Sequence, residues 1–178
     1  TIANSYALAT ADGVNFSRLL RTSLRLSSHR LVAGELRGPE AYILLKAMSG
    51  GFRGCMGTIH ADGAAHALNR FEQCLSENEE VGKVTPAHRI QIASSIQGII
   101  SIQKVTIPYE KNGVRDAAVK RRVTALRYIK SYDPRYDLYE DQWLYKDPES
   151  FMLTMDGPAV DNADDFAEYQ TKPQGDIN

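Results

Sequence analysis

An α/β fold is what the sequence predicts: a parallel sheet with crossover helices, followed by a strand-rich carboxyl-terminal region. Three observations predict it. The stretch from Arg30 to Asp62, RLVAGELRGPEAYILLKAMSGGFRGCMGTIHAD, has the pattern of a strand, a helix, a glycine-rich turn and a second strand. Apolar residues then recur at helical spacing through two further segments. After Pro108 that spacing gives way to alternation between turn signals. Strands joined by a crossover helix are usually parallel neighbours, and open parallel sheets bind ligands at the carboxyl ends of their strands. Glu35 and His60, each at such an end, are therefore expected on one rim and close enough to act on one ligand. Either residue alone at a strand end is more often a solvated loop residue than a catalytic one.

At the amino-terminal end, Asn15 is placed to cap a helix whose apolar stripe is Phe16, Leu19, Leu20 and Leu24. Its other face carries Arg18, Arg21 and Arg25, with Arg30 beyond the helix end; a solvated surface accounts for such a face. Arg30 to Gly34 is the first strand. Gly38-Pro39 opens a helix with proline at the first helical position, where a missing donor costs nothing. Ala41, Leu44, Leu45 and Met48 form its buried face, and Gly50-Gly51 is expected to end it in left-handed conformations. Cys55 to Ile59 is a short second strand with both faces expected to be covered.

Ala64, Ala67, Leu68, Phe71 and Leu75 define the next helix, and Glu77 to Glu80 an acidic, solvent-facing connection. Thr85-Pro86 caps another helix, with Ile90, Ala93, Ile96 and Gln97 toward the sheet. Gly98 to Lys104 is a third strand. Further on, Asn112-Gly113 is a hairpin signal flanked by the solvated charges of Glu110 and Lys111. Val123, Ala125 and Ile129 alternate with other residues toward a turn at Asp133-Pro134. Tyr136, Leu138, Tyr139, Trp143 and Tyr145 suggest edge strands, with the tyrosines read as packing in preference to base stacking. From Asp147 the chain is acidic and loop-like, and a mobile tail is expected.

Composition narrows the function classes. With 178 residues the chain is long enough for one domain with a real core. A formal net charge of −1 argues against a general electrostatic grip on nucleic acid, which makes it an unlikely direct ligand. No run of about eighteen apolar residues is present to span a membrane. The two cysteines, Cys55 and Cys74, lack thiol-disulfide or zinc spacing and are read as packed thiols in a reducing compartment.

The segments Gly34-Glu35-Leu36-Arg37-Gly38-Pro39-Glu40-Ala41 and Thr58-Ile59-His60-Ala61 resemble the atypical Walker B segment and histidine box of the traffic ATPases of bacterial type II and type IV secretion, conjugal transfer and pilus assembly. The resemblance runs through residues 14–105. It takes in Leu20-Arg21-Thr22-Ser23-Leu24-Arg25, Ala67-Leu68-Asn69-Arg70-Phe71-Glu72 and Gln91-Ile92-Ala93-Ser94-Ser95-Ile96. It departs at Ser28-His29, where the family usually has Pro-Asp, and at Gly50-Gly51-Phe52, where it often has Thr-Gly-His. No Gly-X-X-X-X-Gly-Lys-Ser/Thr loop occurs, so a phosphate cradle is not found.

The resemblance implies a RecA-like ATPase domain with ATP and Mg as ligands. Residues 1–105 would be its carboxyl-terminal part, 106–146 a strand-rich extension and 147–178 an acidic tail. The whole protein would be a homo-hexameric motor, cytoplasmic and docked on inner-membrane secretion or conjugation machinery. A pilus-assembly motor and a non-catalytic subunit are the alternatives. Glu35 would hold magnesium through water or polarise the attacking water, and His60 would sense the γ-phosphate. Arg37, Gly38 and Glu40 would shape the surrounding loop, and Arg25 or Arg30 would approach phosphate or a subunit boundary. Without the lysine loop, the chain alone is expected not to hydrolyse ATP.

Overall fold

The computed structural model describes residues 5–26, 29–52, 54–111 and 114–147. Helix α1, Phe16–Ser23, begins where expected: the Asn15 side chain accepts the Arg18 backbone N–H at 2.9 Å. Leu20 is its buried anchor, with Phe16 and Leu24 packed beside it. Strand β1, Val32–Leu36, helix α2, Glu40–Ser49, and strand β2, Met56–Ile59, form the expected crossover unit. The strands are parallel, with Val32 opposite Met56 and Ala33 opposite Gly57. Gly57 allows the helix to sit low on the sheet. A Cβ there would lie 3.2 Å from Leu36 Cδ1 and 3.3 Å from Leu44 Cδ2.

Several boundaries differ from the sequence expectation. Strand β1 starts two residues later than Arg30 and runs through Glu35 to Leu36, so Glu35 is held by sheet geometry. Pro39 precedes the first helical residue, Glu40. Of the two glycines closing α2, Gly51 is left-handed (φ 106°), whereas Gly50 has φ −80°. Strand β2 is not covered on both faces: Met56, Gly57 and Thr58 are exposed, because β1 is its sole partner among the described residues.

Helix α3, Gly63–Ser76, buries Ala64, Ala67, Leu68, Phe71, Cys74 and Leu75. Helix α4, Pro86–Ser95, is capped by Thr85, whose hydroxyl accepts the His88 N–H while the His88 ring accepts the Thr85 N–H. The buried face of α4 is set by Ile92 and Ala93; Ile90, expected inside, is half exposed. Leu45, Leu75, Cys74 and Ile92 are sealed from solvent where α2, α3 and α4 meet. Each such aliphatic side chain contributes about 1.5–3 kcal/mol by burial.

Strand β3, Gly98–Lys111, does not join β1 and β2. It pairs along its length with β4, Val114–Asp133, and β4 pairs with β5, Leu138–Lys146, all antiparallel. The long partner strand explains the difference, since it satisfies one whole edge of β3 by a local connection. The predicted Asn112-Gly113 turn lies outside the described residues, though Lys111 and Val114 on its two sides pair. A bulge at Thr124 breaks the β4 alternation: Ser101 pairs with Ala125 but Ile102 with Val123. Ala125 and Ile129 are buried while Val123 is exposed. The turn after Asp133 closes with Asp137 at φ 54°. Ile129 and Tyr132 carry β4 into the helical core. The acidic tail predicted beyond residue 147 is outside the described residues.

Candidate active site at the ends of the parallel strands

Glu35 and His60 meet. The His60 Nε2 lies 3.1 Å from Glu35 Oε1, and Arg37 Nη2 lies 2.6 Å from Glu35 Oε2. The sheet produces this convergence. Leu36 pairs with Ile59, after a register irregularity between Ala33 and Leu36, so the residues flanking that pair, Glu35 and His60, leave the same rim. The Thr58 hydroxyl donates to the Gly34 carbonyl and ties the two strands together just before that rim. His60 is 93% exposed and Glu35 25% exposed at the side chain, so the imidazole faces solvent above a half-sheltered carboxylate.

These neighbours set the electrostatics. The hydrogen bond from Arg37 holds the Glu35 carboxyl below its ordinary range, assisted by the charge of Arg37 and by His60, and opposed by partial burial. The same contact raises Arg37, which remains a cation at any working pH. An ionised carboxylate with an imidazole on one oxygen and a guanidinium on the other can polarise a water or orient a hydrated cation. A neutral ring protonated on Nε2 donates to Glu35 and leaves Nδ1 for another partner.

Glu40 shapes the loop between β1 and α2. Its Oε1 accepts the backbone N–H of Arg37 at 2.7 Å and of Gly38 at 3.1 Å. Glu40 is 9% exposed, so those two amides have little access to water. Arg25 and Arg30, predicted near phosphate, are not brought to this rim. Arg25 lies exposed past the end of α1, and Arg30 lies along Gly54, its Nε 3.3 Å from where a Cβ would stand. Neither is hydrogen-bonded or ion-paired to Glu35 or His60. The arginine face of α1 instead reaches Glu80 through Arg21, at 3.7 Å, and Lys46 joins the same carboxylate at 3.1 Å. The acidic connection is thus partly engaged, not simply solvated.

A magnesium ion usually keeps several waters and takes one or two carboxylates plus phosphate oxygens, so it needs no protein cage. Among the described residues no group of three His, Cys, Asp or Glu is arranged for a metal. Glu35 fits the lesser demand: it is ionised, at a strand end, and each oxygen retains acceptor capacity beyond its present partner.

Other residues that hold this loop were given no role by the sequence. Arg70 and Asn78, from α3 and the turn after it, donate to the carbonyls of Arg37 and Pro39, each at 3.1 Å. Behind them, Glu72 accepts from Arg89 and from the Tyr139 hydroxyl at 2.7 Å, linking α3, α4 and β5.

Residues 3–140 match the family model described as type II/IV secretion system protein, and the chain belongs to that family. Among its relatives, the chain is 38% identical over 101 residues to the probable conjugal transfer protein TrbB of Sinorhizobium fredii (strain NBRC 101917 / NGR234), a match covering 57% of this chain and 30% of that protein. It is 42% identical over 58 residues to the type IV secretion system protein PtlH of Bordetella pertussis (strain Tohama I), covering 33% and 17% respectively. A solved structure of the VirB11 ATPase from the Brucella suis type IV secretion system, in complex with sulphate, aligns with TM-score 0.49 and 21% identity. That alignment covers 63% of this chain and 32% of the other. The chain spans less than a third of the length of the curated relatives it matches.

Proposed function

We propose that the chain is the carboxyl-terminal part of a RecA-like ATPase domain, in a hexameric motor that hydrolyses ATP to drive conjugal DNA transfer or type IV secretion. The observation that carries the reading is the meeting of Glu35 and His60, 3.1 Å apart at the ends of adjacent parallel strands. These residues answer to the Walker B segment and histidine box of the resemblance. Relatives named as conjugal transfer and type IV secretion proteins support this branch over pilus assembly.

A longer protein also accounts for an open feature of the fold. A cleft of about 1500 Å³ is lined by β2, α3, α4 and the start of β3, with Met56, Ile90, Ile100 and Ile102 exposed along it. Apolar walls of this extent usually receive further structure, and the unpaired edge of β2 offers a seat for another strand of the parallel sheet. In this reading the phosphate-cradling loop belongs to that further structure. The motor would be cytoplasmic and peripheral to the inner membrane. No helix of the described residues is long and apolar enough to cross a membrane.

Phosphoryl transfer asks the protein mainly for positioning and charge. Glu35, kept ionised by Arg37, would hold magnesium through water or polarise the attacking water; the ion would supply positive charge against the transferring group. His60, which follows β2, would sense the γ-phosphate by hydrogen bond while its Nε2 faces Glu35 on β1. Glu40 holds the turn that gives Arg37 its direction.

The test uses the protein expressed from its complete reading frame. Glu35→Gln and His60→Ala should retain nucleotide binding while turnover falls, for Glu35→Gln by about a hundredfold or more. Turnover at the wild-type rate in either variant removes the role given to that residue. No turnover in the wild-type protein favours the non-catalytic subunit.

A further inference from the structure

We propose that Arg70, on α3, is a positioning residue for the Glu35–Arg37 pair. This deepens the ATPase reading and rests on it only for its effect on turnover. The loop from Arg37 to Pro39 is gripped from two sides. On its own side, Glu40 takes the Arg37 and Gly38 N–H groups, and the Gly38 carbonyl accepts the Ala41 N–H of the first helical turn at 3.1 Å. From the opposite side, Arg70 Nη2 donates to the Arg37 carbonyl at 3.1 Å, a contact across thirty-three residues of sequence. Arg70 Nη1 is braced on Gln73 Oε1 at 3.3 Å, one helical turn along. Asn78 Nδ2 adds a bond to the Pro39 carbonyl, and Glu77 closes over Gly38, where a Cβ would meet its Oε2 at 2.7 Å.

The consequence is specific to Arg37. Glu40 holds its amide and Arg70 holds its carbonyl, so both ends of the residue's main chain are pinned. The direction in which its side chain leaves is then set, and that side chain determines how the Glu35 carboxylate is turned between guanidinium and imidazole. A half-buried arginine donating to one carbonyl would otherwise look like ordinary surface capping. Here the carbonyl belongs to the residue whose guanidinium lies 2.6 Å from Glu35 Oε2. Positional errors of about an ångström at such groups cost on the order of a hundredfold in rate.

The experiment compares Arg70→Met and Arg70→Lys in the complete protein. It measures kcat and KM for ATP, nucleotide affinity and the urea midpoint. Arg70→Met should lower kcat about tenfold or more with KM and affinity within about twofold. Arg70→Lys, which can place one N–H on the same carbonyl, should recover part of that loss at an unchanged urea midpoint, which separates positioning from poor folding. A kcat within about twofold of wild type in Arg70→Met, or a fall that Arg70→Lys does not reduce, overturns the proposal. Absence of turnover in the wild-type protein overturns the ATPase reading instead.

Discussion

Replacing Glu72 by alanine tests whether the polar cluster behind the site holds the helices to the antiparallel sheet. Glu72 Oε1 and Oε2 each accept Arg89 Nε at 3.0 Å, and Oε2 also accepts Arg89 Nη2 at 2.9 Å. The Tyr139 hydroxyl donates to Oε1 at 2.7 Å. The side chains are 13% exposed for Glu72 and 25% for Arg89, between the surface case, about 0–1 kcal/mol, and the buried case, about 3–5 kcal/mol. Asp137 stays on Arg89 Nη1 at 2.6 Å after the substitution, so the cation is not stranded. A value of about 2 kcal/mol for the ion pair is therefore appropriate, with about 1 kcal/mol more for the orphaned tyrosine hydroxyl. Glu72→Ala should cost about 3 kcal/mol in urea unfolding at unchanged slope. Tyr139→Phe alone should cost about 1 kcal/mol, and the double variant little more than Glu72→Ala, because both singles remove the same bond. A cost below about 1 kcal/mol for Glu72→Ala, or full additivity in the cycle, refutes the argument that this cluster couples α3, α4 and β5.

Single contacts support three further expectations. The Glu35 carboxyl should titrate below its ordinary value of 4.5, and Arg37→Met should bring its NMR midpoint back up. Because the folded value is the lower one, this contact stabilises the fold above the unfolded value and is lost as pH falls through the folded midpoint. An Arg37→Met midpoint identical to wild type counts against Arg37 as the cause. Glu40→Ala should cost about 3 kcal/mol by leaving two sheltered amides without their acceptor, whereas Glu40→Gln, which keeps an oxygen there, should cost about 1 kcal/mol. Equal costs in urea unfolding would show that the amides are not what Glu40 serves. Cys74 is sealed, and burial pushes its thiol up, so thiol titration with a disulfide reagent should modify half-buried Cys55 first and Cys74 only on unfolding. Equal rates for both would contradict the packing of α3.

What the sequence made legible is what acts over short range. Asn15 and Thr85 announced their helices because a cap needs only the next three residues. Ala41, Leu44 and Leu45 announced a buried face because helical period and hydrophobicity coincide there. Glu35 and His60 could be placed together because a crossover helix fixes strand direction, and parallel neighbours then end on one rim. The pairing of β3 was not legible in this way: Gly98 to Lys104 announced a strand, and β4, a long partner reached through a short connection, decided what it pairs with. The inward placement of Ile90 failed for a related reason. Two faces of a short helix carry isoleucine, and packing against α2 and β4 selected the one bearing Ile92.

Arg70 marks the limit more sharply. It lies in the segment Ala67 to Glu72 that carries part of the resemblance, yet no role attaches to it there, and as a cation on a helix beside buried Phe71 it reads like the other helical arginines. Its carbonyl partner lies thirty-three residues earlier, and that pairing exists because α3 packs beside α2. A motif can mark residues that touch a ligand, since chemistry constrains their type. It does not say what an arginine such as Arg70 aims, because the reach to that one oxygen is a property of packing. Substituting Arg70 therefore separates geometry from chemistry at this rim: it leaves Glu35, Arg37 and His60 in place and changes how the loop between them is held.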